Sequence, residues 1–334
     1  MSTSHAPRIP STALLVALAA VVVGAYVTVW LVGLDLAVRP PLPARLQADD
    51  VTGLVSLIGD LTARLSAIGA LGFCVAALGS GMTEGTLSER GHRFAAAAGR
   101  LAQVWFAASV LNTFANPAYV NGVGLHTTLT PAAWWIFLWA SPSALAWLAS
   151  ALVALGCVVA GYLSRRWATF AWCWGLGVAA LLFVAVTGNV TVGLNHDWAT
   201  DAAVIATLTA VPLMTLALGA WLLGTEDAAR SYQRIALPLL VPAIAGQSLI
   251  AWQQLAGVSP TATPYGGWQL AMAGIAALWT LSWVVRALRG PRPGWGIGRD
   301  VLLAVAYLAC LTAENHVPPP RFLEPQTVMI NYLG

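Results

Sequence analysis

Residues 187–201, TGNVTVGLNHDWATD, separate two long apolar runs at 167–186 and 202–223. Neither run contains a charged residue. At ~1.5 Å of helix rise per residue, a run of ~20 crosses the ~30 Å hydrocarbon core of a bilayer. The stretch between them carries Asn195, His196, Asp197 and Asp201. Such groups are costly in hydrocarbon, so they belong at a membrane face or on a cavity wall. Two spans joined by a polar connection is the unit from which the rest of the chain is read.

That unit recurs along the chain. Of its 334 residues 58% are hydrophobic and only 9% charged, with a mean hydropathy of +0.74. Repeated near-uncharged runs predict an all-α polytopic membrane helix bundle in contact with lipid. Nine spans are expected, at about residues 12–34, 51–79, 101–115, 142–163, 167–186, 202–223, 235–255, 268–288 and 301–312. The first exceeds the ~7–15 residues of a secretory h-region, which predicts an uncleaved helix. Segment 35–50, with Pro40, Pro41 and Pro43, reads as an extended loop, and 80–99 and 116–130 as further loops. Residues 131–141, PAAWWIFLWAS, are apolar but too short to cross. Trp134, Trp135 and Trp139 suit an interfacial or re-entrant piece, because indole favours the headgroup level. Pro238 and Pro242 predict a kink in the first half of the seventh span. Residues 1–316 are expected to form one bundle and 317–334 a proline-containing extracytoplasmic tail.

Charge gives the expected orientation. All 16 basic residues are arginine. With nine spans, Arg8, Arg90, Arg93, Arg100, Arg165, Arg166, Arg230, Arg234, Arg286, Arg289, Arg292 and Arg299 share one side. Arg39, Arg45 and Arg321 fall on the other, and Arg64 lies within a span. Positively charged loops stay in the cytoplasm. The amino terminus is therefore expected inside and the carboxyl terminus outside, in the cytoplasmic membrane of a bacterium. The net charge of +3 is spread over short loops and points to no nucleic-acid partner. Cys74, Cys157, Cys173 and Cys310 lie in apolar runs without a C-x-x-C and read as packing residues. The chain has no phosphate-binding glycine loop, H-E-x-x-H or G-x-S-x-G, and no histidine in a span core. Neither an enzyme nor a haem or nucleotide cofactor is expected.

Polar residues within the spans are candidates for function. Asp60 and Arg64 are four apart, share a helix face and can neutralise each other. Gln247, Gln253 and Gln254 can hydrogen-bond across helices or line a path. On the outer side lie His126, His196, Asp197, Glu314 and His316. Imidazole and carboxylate suit copper(II) or zinc, and a helix end near water is also an ordinary place for a histidine.

The run TGNVTVGLNHDWATDAAVIATLTAVPL resembles a segment of the CopD family of bacterial copper-resistance membrane proteins. The actinobacterial branch, in which a CopD-like half is often fused to a CtaG-like half, is the most similar. The segment from Arg299 through VPPPRF to TVMINYLG resembles the linker that ends the CopD-like half. The resemblance implies a nine-span protein that handles or transports copper ions. His196 would be the leading ligand, Asp197 would orient it or join the set, and His126 and His316 would be partners at the outer mouth. A CtaG-like protein or other membrane subunits would be its protein partners. The sequence departs from the family at Asn189, where the family carries a histidine. It departs again near Ala206, where a second is expected. Those losses leave a rival reading: a non-catalytic structural or assembly subunit of a larger membrane complex, related to a respiratory oxidase, without metal.

Overall fold

The computed structural model describes residues 12–38, 48–191, 196–290 and 294–320. It is all-α apart from one small hairpin. The long helices are α1 (Thr12–Val38), α2 (Asp50–Gly79), α3 (Glu89–Val120), α6 (Pro142–Leu163) and α7 (Trp167–Val186), then α8 (His196–Leu223), α9 (Glu226–Leu255), α10 (Pro264–Arg289) and α11 (Trp295–Asn315). Two short helices, α4 (Leu125–Thr128) and α5 (Pro131–Ala140), lie between α3 and α6. Strands β1 (Met82–Thr83) and β2 (Thr86–Leu87) form the hairpin between α2 and α3. Among the described residues eight helices, α2, α3 and α6–α11, are long and apolar enough to cross a membrane. In α1 the described apolar stretch, Leu15–Leu31, is shorter.

Several expected boundaries move. Helix α3 starts at Glu89 rather than near 101, because the Ser88 hydroxyl accepts from the backbone N–H of Gly91 and caps it. The charged residues once read as loop occupy its first turns, and at the other end it runs through Pro117 to Val120. Likewise Thr225 caps α9, so Pro238 and Pro242 sit inside a longer helix that begins at Glu226. Helix α1 continues to Val38, while the proline cluster after it lies outside the described residues. Segment 131–141 is a ten-residue helix, α5, with Pro131 at its first turn and Trp135 and Trp139 exposed.

Helix α2 is the axis of the bundle, with 67% of its span buried against 22% for α9 and α10. It packs on α1, α3, α7, α8 and α11. Small residues let these helices approach. A Cβ on Gly161 of α6 would lie 2.7 Å from Gly99 Cα and 2.9 Å from Ala95 O on α3. One on Gly72 of α2 would meet Leu218 of α8 at 2.5 Å. In lipid, where association depends on packing rather than on expelling water, such contacts decide which helices pair.

The two ends of the bundle differ. At one end, β2 continues into the α6–α7 connection through Leu87 N–H to Arg165 O (2.8 Å) and Trp167 N–H to Gly85 O (2.9 Å). Arg90 reaches across to the last carbonyls of α8, donating to Leu223 O at 2.8 Å. Near the same end Arg286 of α10 and Asp300 of α11 form a buried pair, Nη1 to Oδ1 2.8 Å and Nη2 to Oδ2 2.7 Å. Tyr232 and Ser282 complete the carboxylate's partners at 2.6 and 2.7 Å. Every described arginine except Arg64 lies in the half of its helix or in the loop toward this end.

Candidate functional site

The opposite end gathers the polar residues singled out from the sequence. Helix α2 begins there with Asp49, whose carboxylate accepts from Thr52 N–H at 2.7 Å. Thr52 Oγ1 accepts from Leu125 N–H at 2.8 Å, which fastens α4 and places His126 beside Asp49. The Thr52 backbone N–H, with the nearby His126 as a lesser contribution, holds the Asp49 carboxyl below its ordinary value.

One turn along α2, Ser56 meets His316, which follows α11. His316 Nδ1 lies 2.9 Å from Thr312 O, an acceptor only, so Nδ1 carries the proton. Nε2 then accepts from Ser56 Oγ at 3.2 Å. The ring packs on Tyr119, centroids 5.0 Å apart, and Tyr119 Oη donates to His316 O at 2.7 Å. His316 is thus buried with both ring nitrogens engaged.

His196 is arranged differently. It opens α8 rather than sitting in a loop, its Nε2 3.6 Å from Asp197 Oδ1, with both side chains exposed. Asn195 lies outside the described residues. Asn189 donates through Nδ2 to Glu314 O (3.1 Å) and Val317 O (3.2 Å), satisfying carbonyls at the end of α11. Ala206 is buried where α8 meets α9, so close that a Cβ on Gly246 would lie 3.0 Å from its own Cβ.

Beneath this layer lies a buried polar network joining α9, α10 and α11. Tyr307 Oη donates to Gln247 Oε1 at 3.1 Å, and Gln247 Nε2 to Gln269 Oε1 at 3.0 Å. Gln269 Nε2 lies 3.0 Å from Tyr265 Oη and 3.3 Å from Glu314 Oε1, and the Tyr265 hydroxyl also bonds the Glu314 carboxyl. Glu314 is only 3% exposed. Together with Arg64, Gln247, Tyr307 and Asn315 it faces a cavity of about 60 Å³, bounded on the α8 side by Ala203, Ala206 and Thr207. Arg64 is held by Asp60, Nε to Oδ1 2.6 Å, so the expected i,i+4 pair is made. Gln269 and Tyr265 escape sequence reading because each is one polar residue near the start of an apolar helix.

Of the four candidate ligands, only His196 and Asp197 are adjacent; His126 lies against Asp49 and His316 against Ser56 and Tyr119. Among the described residues no three of His, Cys, Asp and Glu come together as a group that could hold a metal ion. The His196 imidazole is half exposed at the bundle end.

The chain is 30% identical over 142 residues to an uncharacterized protein of Mycobacterium bovis, and equally to one of Mycobacterium tuberculosis. The match covers 42% of this chain and 22% of either relative, so the chain spans only part of relatives nearly twice its length. No protein-family model matches it, and no solved structure does so significantly.

Proposed function

We propose that this chain is a CopD-like membrane protein that handles copper ions at the cytoplasmic membrane of a bacterium. Nine spans, counting α1, put the amino terminus inside, and the arginine-bearing end of the bundle faces the cytoplasm. The observation that carries the reading is the placement of His196. It stands exposed at the end without described arginines, two helical turns above a small cavity that ends on the buried carboxyl of Glu314. Imidazole and carboxylate at a rim suit copper(II), and Asp197 is close enough to orient the ring or to share the ion. The mycobacterial relatives, nearly twice as long, have room for a second half of the kind seen in CopD/CtaG fusions. A CtaG-like protein in the same membrane would be the partner.

A second reading is favoured by Asn189. Where the family carries a histidine, this side chain is a strut between the α7–α8 connection and the end of α11. On that reading the fold persists as a structural or assembly subunit of a larger, oxidase-related complex. Elemental mass spectrometry of the mildly solubilised protein, with co-purifying proteins identified, separates the two. Near-stoichiometric copper that disappears in His196→Ala, with unchanged protein yield, is expected. Metal-free protein with a constant set of partner subunits would sink the copper reading.

A further inference from the structure

A larger cavity lies beside the first. Helix α10 stands away from α8 and α9, leaving about 270 Å³ between them, floored by Tyr307 of α11. Six alanines line it: Ala210, Ala243, Ala251, Ala273, Ala276 and Ala277. Ala273 and Ala277 are exposed, so the slot opens onto the outer surface of the bundle that meets lipid. From Gln269 to Thr280, both on its wall, the slot spans eleven residues of α10, ~16 Å along the axis. That matches the ~15 Å depth of one leaflet's hydrocarbon.

The two amides of the slot lie at one end. Gln269 and Gln247 lie toward the end bearing His196, and Leu240, Trp279 and Thr280 lie deep. Gln247 accepts from Tyr307 and donates one N–H to Gln269. A primary amide has two N–H groups, so Gln247 keeps a second donor at the amide end of a mainly apolar slot. Left unmade at this depth, that bond is costly.

We propose that the slot between α8, α9 and α10 binds one hydrocarbon chain that carries a carbonyl at its head. The carbonyl accepts from Gln247, and the chain runs down the alanine wall toward Thr280. Because the slot opens onto the bilayer itself, that chain belongs to a membrane acyl lipid, whose ester carbonyl supplies the acceptor. The occupant enters sideways from the leaflet on the His196 side. This site does not depend on the copper reading, since none of its residues is a candidate ligand.

The test uses the full-length protein in nanodiscs with a diazirine-bearing palmitic acid, the labelled positions being mapped by peptide mass spectrometry. Labelling is expected to concentrate on the slot-facing residues Met272, Ala276 and Met214. Ala276→Phe, which fills the slot, abolishes it, and Gln247→Leu, which removes one hydrogen bond, weakens it about fivefold. Leu281→Ala, on the exposed face of α10, leaves it unchanged. Displacement by excess phosphatidylglycerol, but not by decylbenzoquinone, is expected for an acyl lipid; the opposite pattern, which would mark a quinone site, overturns the proposal. Equal labelling of Leu278, Leu281 and the slot, insensitive to both slot variants, overturns the proposal.

Discussion

Asp49 shows how one side chain sets the edge of a membrane helix. Its carboxylate satisfies an orphan N–H of the first turn of α2, and that bond keeps its acidity above that of a free aspartate. Asp49→Ala should cost ~1 kcal/mol of stability. Because the folded pKa lies below the ordinary value of 3.8, the ionised contribution is complete above that value and is lost as pH falls through the folded one. The gap in thermal midpoint between wild type and Asp49→Ala in detergent should therefore be full near neutral pH and shrink as acid protonates the folded carboxylate. A gap that persists in acid would mean that the charge contributes nothing. Arg286 makes a stronger case. Buried with Asp300, Tyr232 and Ser282, it cannot be removed without leaving a carboxylate unpaired. Arg286→Leu should cost ~3–5 kcal/mol, read as loss of monodisperse protein or a large fall in thermal midpoint. A variant that purifies and melts like wild type would contradict this account of the pair.

At the scale of elements, the bundle is held by helix pairs that meet through glycine. Gly99 and Gly161 bring the α3 and α6 backbones together, with no room for a side chain between them. Gly161→Val must push these helices apart, whereas Gly156→Ala on the same helix meets nothing within 4 Å. Size-exclusion profiles and thermal midpoints should show a marked loss for the first and little change for the second. Equal behaviour would place the close contact elsewhere.

For the whole molecule, the distribution of arginine is the feature with the widest consequence. The end bearing the β1–β2 hairpin and the α6–α7 connection is proposed to face the cytoplasm. Single cysteines placed at Thr261 and at Thr83, both exposed and at opposite ends, test this in intact cells with a membrane-impermeant maleimide. Thr261→Cys should label directly, and Thr83→Cys only after permeabilisation. The reverse pattern would invert the protein and move His196 to the inside.

The amino-acid sequence by itself determines that this chain is a set of apolar helices, roughly where each lies, and which connections carry positive charge. These properties are sums over neighbouring residues, and hydropathy and charge add along the chain. The pairing of Asp60 with Arg64 is legible for the same reason, since i and i+4 meet on any helix. Helix starts were less legible: Ser88 and Thr225 extend α3 and α9 into charged segments because a capped helix can project beyond the bilayer. Only the tertiary structure decided that Glu314 is enclosed by Tyr265, Gln269 and Arg64, that His316 is held by Ser56 and Tyr119, and that α10 leaves a slot beside α8 and α9. Those outcomes depend on which helices are neighbours and how closely their small residues let them approach. Where a buried polar group finds its partner on another helix, one helix's sequence does not name that partner.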